Sequence, residues 1–346
     1  MTLCVAWIRQ VGDNEELVFA TDSALTGGEK WDKGIKLFEL PRKDCLLCFA
    51  GSTIRAYPLI LNLISSLRIN PTLQNPHTDI VEVLDYLSEL FTDLVKGIIP
   101  VVAGEDIHTL RSDAKFIFGG WSWKENRFRI WELYYEKEAE GFIYKEHSAS
   151  DKSRIVFFLG NPTNISELAL SNYRRIMEEG DFDRRLDMEP LEVLRDISRG
   201  KTIDEVGGSL QIAKIYKSGT SEFFGIYWPS IDGSPCFNGQ DFKDFHKPKI
   251  RYFDPDTFEI TDEQLPQALS DLNKFNQLED FDFIKECYPE GSLKEGISEK
   301  DRDKLSNILR EYSYRQFIDN SNKITIVDDS KKNLGAYPPI DESLFQ

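Results

Sequence analysis

Threonine follows the initiating methionine, so removal of Met1 would leave Thr2 with a free α-amine beside its own hydroxyl. Such an amine titrates near ~7.7 to 8.0 and is partly neutral at cellular pH, which lets it act as general base toward the hydroxyl. A nucleophile of this kind needs a nearby cation to favour the alkoxide, a carboxylate to hold that cation, and backbone N–H groups for the oxyanion. Methionine before a small residue is also commonly removed without catalytic consequence, so the neighbours of Thr2 must carry the case.

Other chemistries find less to work with. Cys45 and Cys48 have the spacing of a metal-binding pair, but they sit inside an apolar run and no second Cys/His pair follows at zinc-finger spacing. They read as buried strand cysteines. His77, His108, His147 and His246 are widely separated and expected at the surface, which argues against a Ser/His/Asp or metal site. The GGEK and GGS segments are too short and wrongly placed for a phosphate loop. No metal and no cofactor is expected.

The 346 residues are more than one ordinary domain requires, and 40% hydrophobic with 29% charged residues is ordinary globular usage. A formal net charge of −17 excludes nucleic acid and anionic membrane as partners on electrostatic grounds. Nothing approaches the ~18 apolar residues of a membrane helix, and the N-terminus lacks a basic region followed by a long apolar core. Five scattered cysteines (Cys4, Cys45, Cys48, Cys236 and Cys287) fit a reducing compartment better than a disulfide framework. A soluble cytoplasmic protein is therefore expected.

The elements that must position Thr2 follow from hydrophobic periodicity. Segments 2–9 and 16–22 are short and rich in β-formers around a polar turn, and 35–40 and 45–50 form a second such pair around Pro41 to Asp44. Helical spacing takes over at 54–67 and 79–98. Strands return at 115–118, 128–135 and 154–159, helices at 165–179 and 190–199, and strands at 210–216 and 222–228. Trp121, Trp123 and Trp131 around the GGW turn read as core and sheet-edge packing. Two antiparallel sheets face to face, with a helix pair on each outer face, would bury every one of these stripes. The expected class is α+β, a four-layer αββα sandwich over residues 1–232. A C-terminal α/β extension of unassigned role is expected over 233–346, with a helix at 298–319 capped by Ser298, a strand at 323–327 and a Pro-containing tail.

The segments TLCVAW, ATDSALTGG, GIKLFEL and CFAGST, in this order and spacing, resemble the opening of proteasome β subunits and of the bacterial HslV-type peptidase. FIFGGWSWKENRFRIWELY, FFLGNPT and DEVGGSLQIAKIY resemble later parts of the same family more loosely, so the resemblance spans about the first 230 residues. The first hairpin is a few residues longer here. The resemblance implies the N-terminal-nucleophile hydrolase fold. It makes Thr2 the nucleophile, Asp22 the buried aspartate, Lys36 the lysine (with Lys33 as the alternative) and Gly51 an oxyanion-hole donor. An ammonium at Lys36 would lower the nucleophile's pKa, and Asp22 would keep that lysine charged and oriented. Thr26 falls on the residue whose backbone pairs with an extended substrate, and Phe49 and Thr53 fall on the lining of the first specificity pocket.

Two positions depart from the family pattern. Asn161, in Gly160-Asn161-Pro162, stands where relatives carry a serine hydroxyl. Asp204 opens a segment, Asp204-Glu205-Val206-Gly207-Gly208, that lacks the relatives' serine. The implied activity is that of a threonine peptidase or amidase acting on a protein or peptide substrate through an acyl-enzyme on Thr2. An unfolding ATPase or regulatory protein is the implied partner. Stacked rings are the implied homo-oligomer, although the extension and the long hairpin leave a smaller oligomer or a monomer open. The alternative is a scaffold or binding protein that kept the sandwich and lost the chemistry.

Overall fold

A computed structural model describes residues 2–11, 14–27, 29–75, 77–148, 155–179, 187–200, 203, 205–242, 246–248, 250–260, 265, 268–298, 300–309, 311–312 and 316. The chain divides into two compact units, Met1–Pro266 and Gln267–Gln346. The first unit opens with β1 (Thr2–Val11), β2 (Asn14–Thr21), β3 (Leu25–Thr26), β4 (Lys30–Trp31), β5 (Leu37–Leu40) and β6 (Arg42–Gly51). Helices α1 (Thr53–Ile69), α2 (Pro71–Gln74), α3 (Ile80–Lys96) and α4 (Ile107–Ser112) follow. Next come β7 (Ala114–Ser122), β8 (Arg127–Glu136), β9 (Gly141–Glu146), β10 (Val156–Asn161), α5 (Thr163–Glu179) and α6 (Glu189–Arg199). Strands β11 (Gln211–Tyr216), β12 (Thr220–Trp228), β13 (Ser234–Phe237), β14 (Gln240–Asp241) and β15 (Tyr252–Phe253) complete it.

One sheet has the order β10-β1-β2-β11-β12-β13-β14, with β15 parallel to β12, and the other the order β5-β6-β7-β8-β9. The inner strands are apolar on both faces because both faces are buried. In β1, Leu3, Val5 and Trp7 pack with Ile165 and Ala169 of α5 and Leu191 and Leu194 of α6. Cys4 and Ala6 point the other way, into a core shared with Leu46, Cys48 and Ala50 of β6. The opposite face of β6 carries Cys45, Leu47 and Phe49 onto Leu59, Ile60 and Leu63 of α1 and Leu84, Leu87 and Phe91 of α3. Each sheet thus meets the other sheet on one face and a helix pair on the other, the α+β class expected. Cys45 and Cys48 lie on opposite faces of one strand, a placement that cannot chelate a shared ion.

Local sequence explains how the layers are pinned. Helix α3 buries Ile80, Val83, Leu84, Leu87, Phe91 and Val95 as one stripe, and its N-cap Asp79 accepts the Val81 N–H at 3.1 Å. The same carboxylate accepts the Ser122 hydroxyl at 2.9 Å and the Lys124 N–H at 3.1 Å. The helix start is thereby tied to the β7–β8 turn. Among the tryptophans of that turn, Trp131 is buried, Trp121 packs edge-on against Phe128, and Trp123 is exposed.

Several elements were not expected from the sequence: the short β3–β4 ribbon, the short helices α2 and α4, strand β9 and strands β13 to β15. Strand β9 is an added edge strand, short and carrying charge on its outer side, so its alternation is weak. Strands β13 to β15 are two to four residues long in a turn-rich stretch, yet they extend the large sheet past residue 232. The first unit accordingly closes at 266. In the second unit, α7 (Phe281–Cys287) is followed by a helix over 300–309. Its cap is the expected one: the Ser298 hydroxyl accepts the Asp301 N–H at 3.2 Å and donates to its carboxylate at 2.6 Å. The strand expected at 323–327 and the tail lie outside the described residues. Among the described residues no helix is long and apolar enough to cross a membrane.

Candidate active site

Thr2 begins β1, an interior strand. It stands opposite Asn161, the last residue of β10, and its neighbour Cys4 stands opposite Thr21 of β2. The chain leaving β2 turns at Asp22, whose carboxylate is wholly buried. One oxygen, Oδ1, accepts the Leu3 N–H at 3.1 Å and the Lys36 ammonium at 2.9 Å. The other, Oδ2, accepts the N–H groups of Ala24 and Gly207, each at 3.1 Å. One carboxylate therefore joins the peptide that follows Thr2, the lysine, and the loop before β11. Because Lys36 Nζ and the Leu3 amide share a single oxygen, the ammonium lies within two hydrogen-bond lengths of the Thr2–Leu3 peptide. Lys36 and Thr2 are both buried.

Lys33, the alternative lysine, is half exposed and pairs with Asp241 of β14. It takes no part in the Asp22 cluster. Asp204 lies outside the described residues, as does Met1. The loop that follows Asp204 is nevertheless well anchored: Gly207 O accepts Ser23 N at 3.0 Å and Ala24 N at 2.9 Å. The Ser23 hydroxyl lies 2.8 Å from both Asp32 O and Ser209 O, either of which can accept its single proton. Gly208 sits at φ +73, where a Cβ would come within 2.3 Å of that hydroxyl.

A cleft of about 470 Å³ opens at Asn161, the residue opposite Thr2; Thr2, Asp22 and Lys36 are themselves not part of its lining. One side is the β3–β4 ribbon, contributing Leu25, Thr26, Gly27, Glu29 and Trp31. The rest of its lining is Gly51, Ser52, Thr53 and Ile54, with Asp113 and Asn161. Gly51 ends β6 at φ +116, and a Cβ there would fall 2.2 Å from Asp113 O and 2.9 Å from the Asn161 side-chain nitrogen. Glycine is required at that point both for the backbone angle and for the close approach. Burial raises the Asp113 carboxyl above its ordinary value, with a Ser52 hydrogen bond and the Arg55 charge acting against the rise.

Of the expected specificity residues, Thr26 and Thr53 line the cleft, while Phe49 does not. Phe49 is fully buried, 5.7 Å from Tyr57 and 6.2 Å from Phe38 between ring centroids, on the α1/α3 side of its sheet. Strand alternation decides this: Phe49 shares a face with Leu47, whereas Gly51 reaches the cleft only because β6 ends there. Gln211, the first residue of β11, was not anticipated. Its wholly buried amide accepts Lys36 N at 3.0 Å and Leu37 N at 3.1 Å and donates to Gly34 O at 2.6 Å. The only signal in the sequence was a polar residue opening an otherwise apolar strand. The four histidines do not converge; His147 stacks on Phe157 at 3.6 Å and His108 meets the Tyr135 hydroxyl at 3.1 Å.

No protein-family model and no curated protein matches the chain. Similar solved structures include Anbu, the ancestral beta-subunit, from Yersinia bercovieri, at 17% identity over 64% of this chain and 86% of that chain, with a TM-score of 0.44. Another is the helical assembly of the Anbu complex from Pseudomonas aeruginosa, at 17% identity over 61% of this chain and 80% of that chain, with a TM-score of 0.43. A likeness this distant carries nothing about chemistry. It does correct the family expected from the motifs, because these structures are Anbu proteins and not a proteasome β subunit or an HslV-type peptidase. The motifs in 2–60 encode two hairpins buried on both faces and a glycine turn, demands that any chain with this sheet pairing must meet. They do not separate one lineage from another.

Proposed function

We propose that the chain is a threonine-type N-terminal-nucleophile hydrolase that cleaves peptide or amide bonds through an acyl-enzyme on Thr2. With Met1 removed, the Thr2 hydroxyl attacks the carbonyl carbon and its proton passes to the α-amine, which then protonates the leaving amine. Water, activated by the same amine, releases the acyl group. The Lys36 ammonium lowers the cost of forming the alkoxide, and Asp22 holds that ammonium in place. Gly51 N–H serves the oxyanion, a contribution worth about 10²- to 10³-fold in rate where single donors have been removed. Asn161 supports the amine from the neighbouring strand, and Thr26 and Thr53 flank the bound substrate.

The observation that carries this reading is the fully buried Lys36–Asp22 pair, 2.9 Å long, whose carboxylate also binds the amide next to Thr2. Taking both charges out of water costs several kcal/mol per ion, and apolar residues of similar volume usually fill such a place at no loss. A scaffold without chemistry gains nothing from the pair; a hydrolase using Thr2 does.

The experiment is intact mass on the purified protein followed by a threonine-directed covalent probe, beside Thr2→Ala. Loss of one methionine and a probe adduct on the Thr2 peptide, absent in Thr2→Ala, are expected. Retained methionine throughout the population, or equal labelling of both proteins, overturns the proposal.

A further inference from the structure

The charge of the cleft bears on which substrates enter it. Among the described residues its charged lining is Glu29 on the ribbon side and Asp113 before β7, both acidic. The nearby lysines are engaged elsewhere: Lys30 faces Asp32 at 3.8 Å and Lys33 pairs with Asp241. Arg55 acts on Asp113 from the α1 side but lines a separate groove between α1 and α3, which leaves Glu29 the freer carboxylate. Among the described residues neither carboxylate has an ion-pair partner within 4.0 Å. The same lining carries two large apolar side chains turned to solvent, Trp31 at 61% and Ile54 at 78% exposure. Such a surface accepts an alkyl stem along its apolar part and a cation at its rim, where an indole face also attracts positive charge.

Resting on the hydrolase reading above, we infer that the preferred substrates are peptides carrying lysine or arginine beside the scissile bond, recognised by Glu29 and Asp113 over a floor of Trp31 and Ile54. Acidic peptides are excluded by the same two carboxylates and by the formal net charge of −17. Solvent-exposed ion pairs are individually weak, so the two together with the indole are expected to give about a tenfold preference that salt reduces.

Three matched, internally quenched peptides test this. They share an apolar centre flanked by lysine, by norleucine as the uncharged equivalent of the lysine stem, or by glutamate. Cleavage by the processed protein is measured as kcat/KM, and binding of the same three peptides to Thr2→Ala is measured by fluorescence anisotropy. The expected order in both is lysine, norleucine, glutamate, with lysine about tenfold over norleucine at low salt. In the Glu29→Gln/Asp113→Asn variant the lysine-to-norleucine ratio falls to about one. A ratio of one or below in the unaltered cleft, or one that persists in the double variant, overturns the inference. Ordered binding without cleavage would instead sink the hydrolase reading and leave the recognition of basic peptides standing.

Discussion

The side-chain oxygen of Gln211 accepts the backbone N–H of Lys36 at 3.0 Å, so the strand that precedes the large sheet's outer half sets the position of the buried lysine. The same amide also holds Leu37 N and Gly34 O. Gln211→Met fills the space and strands two N–H groups and one carbonyl, at about 1–3 kcal/mol for each unsatisfied group. The expected outcome is a lowered urea midpoint together with slower probe labelling of Thr2. Gln211→Glu keeps both acceptor contacts and is expected to recover part of each.

Lys36→Met leaves Asp22 with its backbone donors but without its cation. Breaking a buried pair on one side costs about 3–5 kcal/mol, and the three amides already on the carboxylate place this case at the lower end. Asp22→Asn/Lys36→Met, which removes both charges, is expected to be more stable than Lys36→Met alone. Thermal melts check the order, and labelling of Thr2 is expected to be lost in both.

Gly51→Ala meets the carbonyl of Asp113 and demands a left-handed backbone from alanine. A strained residue of this kind costs about 1–3 kcal/mol, and relief can come only by moving the end of β6. Probe labelling is expected to fall much more steeply than the melting temperature.

Phe49→Ala separates core from pocket. Opening a phenylalanine-sized hole in a fully packed layer costs about 3–5 kcal/mol. The melting temperature should drop accordingly, while relative rates on peptides of different side-chain size should stay in the same order.

Acid stability follows from Glu16 on β2. Burial alone would raise its pKa, but Lys214 at 3.1 Å and Arg9 at 3.5 Å outweigh that and hold it at about 2, against 4.5 for a free glutamate. A folded value below the unfolded one means the stabilisation is complete above pH 4.5 and disappears as pH falls toward 2. The difference corresponds to roughly 3 kcal/mol. Urea midpoints measured from pH 7 to pH 2.5 should fall less steeply in Glu16→Gln, which starts from a lower value at pH 7.

Much of the fold was legible because strands buried on both faces leave continuous apolar runs and helices on the outside leave one stripe each. The first four expected helices lie within a few residues of α1, α3, α5 and α6 for that reason. Strands β13 to β15 left no such trace, since two to four residues show no period and their partner strand supplies the order. At the site, Asp22, Lys36 and Gly51 stand in short, well-marked segments; Asp22 and Lys36 pair in the interior, while Gly51 lies apart from them on the cleft lining with Asn161. Phe49 was misplaced because two residues of one strand, however close in sequence to a cleft, can face away from it. Gln211 went unread because a single glutamine carries no spacing signal; its importance comes from loops 177 and 175 residues away in the chain.

The hairpin that bears Thr2 is fastened twice. Near its open end Asp22 engages Lys36, and toward its turn Glu16 engages Lys214 and Arg9 on the neighbouring strands. A slip of one residue would throw both carboxylates to the opposite face and orphan their cations together. The alignment of the threonine is thus guarded from a distance, and damage to the remote ion pair is expected to loosen the threonine's register along with the lost stability.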